Sequence, residues 1–180
     1  FKASGKDWYY AHTLLDGSEF HTYLHHYSQA DSVLRIAQSY DLDDYYLARY
    51  YETKGLYFYE QLQYDSALYY FHQALHLWEY EEDKFYTYKK LMQVHLDMDD
   101  HASALPYAQI IVEQSADPND LVNAYYCLMQ DAKARGDINK LSAYAHARQD
   151  ANELLMQSVG NYNGAQTLLE EHLANPYPYR

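Results

Sequence analysis

Alanine returns at a fixed interval along this chain: Ala30, Ala67 and Ala104 stand 37 residues apart, and Leu141 takes the next place in the series. Other columns keep the same step. Leu14, Tyr51, Tyr88, Tyr125 and Tyr162 form one; Leu34, Phe71, Ala108 and Ala145 form another; Tyr27, Tyr64, His101 and Ile138 form a third. A fixed period of roughly 20–50 residues marks a repeat architecture, in which each copy is one supersecondary unit that buries its apolar face only by stacking on its neighbours.

Within a copy the apolar spacing is helical, as in Tyr51, Gly55 and Phe58 and then Ala67, Phe71 and Ala74. Each copy is therefore read as two helices. Six Gly and four Pro in 180 residues are too few turn formers for a protein of many β-hairpins. Acidic residues at Asp44, Asp83 and Asp120 mark helix starts, where a carboxylate accepts from orphan backbone N–H groups and suits the dipole. The polar segments DLDD, EED and ADPND separate the pairs, and turns inside the pairs are expected near Leu62, Asp99 and the RGD of 135–137, with Gly136 suited to a helix C-terminus. The repeat accounts for that tripeptide without an adhesive role.

The copies cover approximately residues 7–40, 44–80, 83–116 and 119–153, in one domain spanning 1–180. In the first, Asp16 and Gly17 fall inside the expected opening helix, which predicts a break or a distortion there, since glycine costs about 1 kcal/mol against alanine in a helix. Its partner, SQADSVLRIAQSY, turns Ala30, Leu34 and Ala37 inward. At the other end Tyr162, Ala165 and Leu169 recover the first-helix columns, predicting a separate capping helix over about 157–174 that NPYPYR stops. Nine helices are expected.

The second copy resembles the tetratricopeptide repeat. Counting that family's 34 positions from Ala48, Gly55 stands where a small residue belongs, Tyr51, Phe58, Tyr64 and Phe71 where aromatics belong, and Ala67 and Ala74 where alanines belong. The third copy departs from the pattern with Met92 and His95, the fourth with Leu141, and the period runs three residues long. The resemblance implies an all-α, right-handed α-α superhelix, a solenoid of about four helix pairs plus the C-terminal cap. It also implies a concave groove lined by the first helix of each pair: Arg49, Glu52, Leu56 and Tyr59 in the second copy, Tyr86, Lys89, Gln93 and Leu96 in the third, and Asn123, Tyr126, Gln130 and Lys133 in the fourth. Arrays of this family that grip a chaperone's C-terminal carboxylate would need Lys and Asn at Glu52 and Leu56, and have neither here.

The 24 tyrosines divide accordingly. Tyr51, Tyr64 and their column mates Phe58 and Phe71 read as packing between helices; Tyr57, Tyr59, Tyr69 and Tyr70 lie outside those columns and are left to face solvent or a partner. A net charge of −13 argues against the domain gripping nucleic acid or an anionic membrane surface, and favours a neutral or basic partner. The single cysteine, Cys127, excludes an internal disulfide and reads as a packed thiol. No apolar window reaches the roughly 18 residues of a membrane span. The chain opens on Phe1, which suggests an upstream segment.

Signatures of phosphate loops, nucleophile elbows and zinc proteases are missing. The pairs His21/His25 and His72/His76 have helical spacing for a shared metal but bring no third ligand. No catalytic residue, metal or cofactor is expected. The leading expectation is a non-catalytic domain that recognises a peptide or protein segment. The tyrosine-rich, overlong copies ending in a lone helix are also similar to the sensor region of bacterial membrane-anchored signalling and transcriptional regulators, which implies a place outside the cytoplasm, ahead of a membrane segment not in this chain. The competing expectations are a cytoplasmic location and a small-molecule or glycan receptor that stacks its ligand on exposed tyrosines, with an enzyme third.

Overall fold

The computed structural model describes residues 7–174, with side chains described over 8–160. Among the described residues there are eight α-helices and no strand: α1 (Asp7–Tyr23), α2 (Tyr27–Gln38), α3 (Asp44–Tyr59), α4 (Tyr64–Leu77), α5 (Glu81–Asp97), α6 (His101–Gln114), α7 (Pro118–Ala134) and α8 (Ile138–Ala174). The chain divides into two compact bodies, one ending at Tyr107 and one starting at Ala108. In the N-terminal body α1 packs on α2 and α3 on α4, α3 also meets α1 and α2, and α5 meets α3 and α4. In the C-terminal body α7 packs on α8.

The turn inside each helix pair is the same object four times. His25, Leu62, Asp99 and Gly136 hold left-handed φ values of 57°, 60°, 59° and 70°, and stand one period apart. One residue further on, the backbone N–H groups of His26, Gln63, Asp100 and Asp137 donate to the carbonyls of His21, Phe58, His95 and Ala132 at 2.8, 3.0, 2.8 and 2.9 Å. This is the Schellman closure, which satisfies carbonyls that the helix end would otherwise orphan. Only the last copy uses glycine for it. The turns fall where the sequence places them, and His25 adds the first.

Helix starts are set slightly differently from expectation. Asp43, not Asp44, caps α3 by accepting from the Tyr46 N–H at 3.0 Å, and Asp117 caps α7 by accepting from the Asn119 N–H at 2.9 Å. Asp83 and Asp120 sit inside the first turns of α5 and α7, where their charge faces the positive end of the helix.

The packing of α3 on α4 is governed by one close approach. A methyl group built on Gly55 would lie 2.7 Å from two carbons of the Phe71 ring, and Phe71 is wholly buried. Burying such a ring stabilises by about 1.5–3 kcal/mol, and glycine is what lets the helix backbone come that near. Leu56, Ala67, Leu91 and Val94 complete this core, with Phe58 and Tyr64 half-buried against it. A second core joins Leu15, Leu34, Ala37 and Tyr50, with Tyr51 half-buried beside it. The aromatics assigned to packing thus line the two cores, and so do Tyr57 and Tyr59, which are half-buried against them rather than left to solvent or a partner.

Two expectations are corrected. Helix α1 runs unbroken through Asp16 and Gly17; the buried small residue facing its partner helix is Ser18, whose hydroxyl donates to the Ala30 carbonyl at 3.2 Å. Gly17 faces open space, so it costs helix propensity and nothing else. The separate ninth helix is absent among the described residues, because α8 continues from Ile138 to Ala174. The expected break at 154–156 is Leu-Leu-Met, which offers no glycine, proline or cap that would end the helix there. Tyr162, Ala165 and Leu169 lie beyond the described side chains, and NPYPYR beyond the described residues.

Replacing Leu62, 71% exposed and held left-handed, by glycine is expected to raise stability by about 1 kcal/mol, because the L-residue penalty of that conformation disappears. Gly136→Ala is expected to lower it by a similar amount. Urea midpoints measure both, and an unmoved Leu62→Gly midpoint would contradict the strain. Gly55→Ala is expected to cost about 1–2 kcal/mol, the strain of overpacking against Phe71 exceeding alanine's better helix propensity. Combining it with Phe71→Leu should cost less than the sum of the two single changes, read from a double-mutant cycle.

Candidate functional site on the first-helix face of the N-terminal body

Helices α1, α3 and α5 bring one polar cluster together. From α1 come Asp16 and Glu19; from α3 come Arg49, Glu52 and Thr53; from α5 come Tyr86 and Thr87. The Arg49 guanidinium lies 3.1 Å from an Asp16 oxygen and 3.6 Å from Glu19 Oε1. Glu19 Oε1 also accepts from the Thr53 hydroxyl at 3.0 Å. His12, one turn before Asp16, reaches its other oxygen at 2.9 Å. The carboxylates of α1 and the side chains of α3 therefore clasp one another across the face.

Glu52 goes inward instead. It is 2% exposed, and its Oε1 accepts from the Trp78 indole N–H at 3.1 Å and from the Thr87 hydroxyl. The indole N–H also reaches Thr87 Oγ1 at 3.1 Å. Burial pushes the Glu52 carboxyl up to about 7, against the hydrogen bonds from Thr87 and Trp78 and the nearby Arg49, which favour its charged form. Its repeat position predicted an open groove residue. The reason for the difference is Trp78, buried just after α4, whose indole N–H needs an acceptor out of water's reach. Leu56 is likewise fully buried, in the core rather than the groove.

Tyr86 is half-buried beside this cluster and hydrogen-bonded to Tyr23 of α1. Burial first, then Tyr23, Glu19 and Glu52, hold its phenol protonated far above the ordinary tyrosine range. The Lys90 ammonium sits 5.2 Å from the Tyr86 ring centroid. The exposed margin carries Phe20 and Tyr23, 62% and 51% exposed. Acidic oxygens and rings are thus presented side by side.

The remaining expected residues fall into separate places. Tyr59 donates to Asp97 at 2.6 Å, and the Gln93 amide donates to the other oxygen of the same carboxylate at 2.8 Å. Burial and that carboxylate drive the Tyr59 phenol well above its usual range. Lys89 lies 5.3 Å from the Phe85 ring centroid. In the C-terminal body Asn123 and Lys133 are exposed on α7 and Gln130 is half-buried. Tyr126 there carries the Arg148 guanidinium of α8 over its ring at 5.2 Å, while Arg148 also donates to the Val122 carbonyl at 3.2 Å. From sequence Asp16 stands out only as a helix breaker, and Glu19, Trp78 and Thr87 do not stand out; the signal for the last two is a tryptophan at a helix end, which calls for a polar partner.

Among the described residues no group of three His, Cys, Asp or Glu side chains is placed to hold a metal ion, and no helix is long and apolar enough to cross a membrane. Cys127 is fully buried, and burial with the nearby Asp131 pushes its thiol up to about 11, as a packed thiol behaves. No family model matches this chain, and no curated protein sequence matches it.

The Glu52 carboxyl has a pH signature. Its folded value, about 7, lies above its ordinary 4.5, so the unfolded chain gives up this proton first. The contribution to stability is complete below 4.5, falls as pH rises toward 7, and is gone above it, a loss of about 3 kcal/mol. Glu52→Gln keeps an acceptor for Trp78 and Thr87 without the charge. Urea unfolding at several pH values should find its slope between pH 5 and 7 flattened and its stability at pH 8 above the parent's; identical slopes would show that Glu52 is not the titrating group.

Proposed function

We propose that this chain is a non-catalytic, tetratricopeptide-type helical-repeat domain that recognises a peptide or protein segment of basic character. The contact surface is the face built by α1, α3 and α5, and the domain is the sensor or scaffold part of a larger bacterial signalling or transcription-regulating protein, working outside the cytoplasm. The observation that carries this reading is the clustering of Asp16, Glu19, Arg49 and Tyr86 on consecutive first helices, with Tyr23 and Phe20 exposed at the margin.

Asp16 and Glu19 share the Arg49 guanidinium there, with the His12 imidazole on Asp16 and the Lys90 ammonium beside Tyr86, and their oxygens are the acceptors an incoming Lys or Arg would meet. Exposed rings beside it supply contact area at small entropic cost. The net charge of −13 steers a basic segment toward the domain and repels an acidic one. Glu52 is enclosed by Trp78 and Thr87, and Cys127 is fully buried, so neither is offered at this face.

Fluorescence anisotropy with a labelled decapeptide of alternating Lys and Leu, set against its Glu counterpart, tests the reading. The basic peptide should bind more tightly, less so as salt rises, and Asp16→Asn combined with Glu19→Gln should weaken it about tenfold. Equal binding of the two peptides, or none by a folded protein, would refute it.

A further inference from the structure

On another part of the N-terminal body, the end of α2, the α2–α3 linker, α3 and α4 form a half-open cavity of about 400 Å³. Its walls are Tyr40, Tyr50, Tyr51, Tyr69 and Tyr70, with Lys54 among them. Leu42 and Leu47 add apolar surface and Gln38 an amide. Small-ligand clefts run from roughly 300 to 1,000 Å³ and combine apolar walls with a few convergent polar groups, so this one suits a ligand of a single ring.

Its polar groups have one bias. Among the described residues no Asp or Glu lines the cavity, in a chain that has 26 of them. Elsewhere Arg35, Arg49, Lys84, Arg135 and Lys140 each meet a carboxylate. Lys54 is held by phenols: its ammonium donates to the Tyr50 hydroxyl at 3.1 Å and lies 4.8 Å from the Tyr70 ring centroid and 5.3 Å from that of Tyr50. Having accepted from Lys54, the Tyr50 oxygen keeps its own proton to donate. An ammonium with three donors, beside phenol O–H groups and no competing carboxylate, is a receptor for an anion.

The walls are set before any ligand arrives. Tyr70 stacks on Phe58 with centroids 5.3 Å apart and planes at 3°, and on Tyr51 at 6.1 Å and 27°. Tyr69 meets the Tyr70 ring edge-on at 5.0 Å and is 58% exposed, a rim residue. A rigid aromatic wall spares a bound ring the entropy of ordering it.

We propose that this cavity binds a small carboxylate carried on a single six-membered ring, its carboxylate on the Lys54 ammonium and Tyr50 hydroxyl and its ring against the tyrosine walls. This site does not depend on the peptide-binding face. Aromatic acids and sugar acids share the required chemistry. Titration calorimetry of the 180-residue chain with 4-hydroxybenzoate and glucuronate, against phenol, glucose and acetate, distinguishes them.

At least one ring acid should bind ten-fold or more tightly than its own neutral counterpart and than acetate. The tighter of the two names the source, and either outcome supports the proposal. Lys54→Gln should lose ten-fold or more in affinity, and Tyr69→Ala, altering only an exposed rim ring, several-fold with its circular dichroism unchanged. Binding of phenol or glucose equal to that of the acids would overturn the proposal, as would ring acids no tighter than acetate. Undiminished affinity in a folded Lys54→Gln would do the same; should that variant fail to fold, undiminished affinity in Tyr69→Ala decides against it.

Discussion

The face of Phe71 pressed on the bare backbone of Gly55 sets the distance between α3 and α4, and the neighbouring features of the N-terminal body follow from that distance. With the helices this close, Leu56 and Ala67 close the core beneath, and Phe58 and Tyr64 are left half-buried at its edges. A single small–large pair does this because interiors are close-packed and tolerate neither a gap nor an extra methyl. The same two columns hold Met129 and Ala145 in the C-terminal body, with large and small exchanged between the helices.

Above that apolar layer lies a polar one with a different logic. Arg49 and Thr53 reach out to Asp16 and Glu19 on α1, while Glu52 turns inward to Trp78 and Thr87. Adjacent residues of one helix thereby tie α3 to both neighbouring first helices. A buried carboxyl of this kind contributes to geometry more than to net stability, since its desolvation offsets much of what its hydrogen bonds return. The consequence is a face whose charged groups are fixed in place before any partner meets it.

How far the sequence foretold this depends on whether a feature is set by periodicity or by contact. The helix pairs and the turns at Leu62, Asp99 and Gly136 follow from spacing alone, and the structure places them there, whereas the break expected at EED falls at 78–80 and Glu81 opens α5. The burial of Ala30, Phe71 and Ala104 follows likewise. Glu52 did not, because its burial is decided by Trp78, 26 residues away, and no column relates the two. The continuity of α1 through Gly17 was missed because a local propensity cost was weighed without the burial of Ser18 and Leu15 that outweighs it. The run from α7's partner into the expected cap was split because the columns restart there, although a helix has no reason to stop where a repeat does. Of the groove residues, Arg49, Glu52 and Tyr86 meet in one cluster and Tyr59 and Gln93 in another, on Asp97.

Four joints of identical backbone shape, carrying His, Leu, Asp and Gly, make the hairpins interchangeable parts. A recombination event between any two of these joints inserts or deletes a whole hairpin's length of chain, and every surviving joint keeps its hydrogen bonds. Growth and shrinkage by whole modules is therefore a smaller perturbation for this architecture than the loss of one residue inside a helix, which would rotate every later side chain about 100° out of phase.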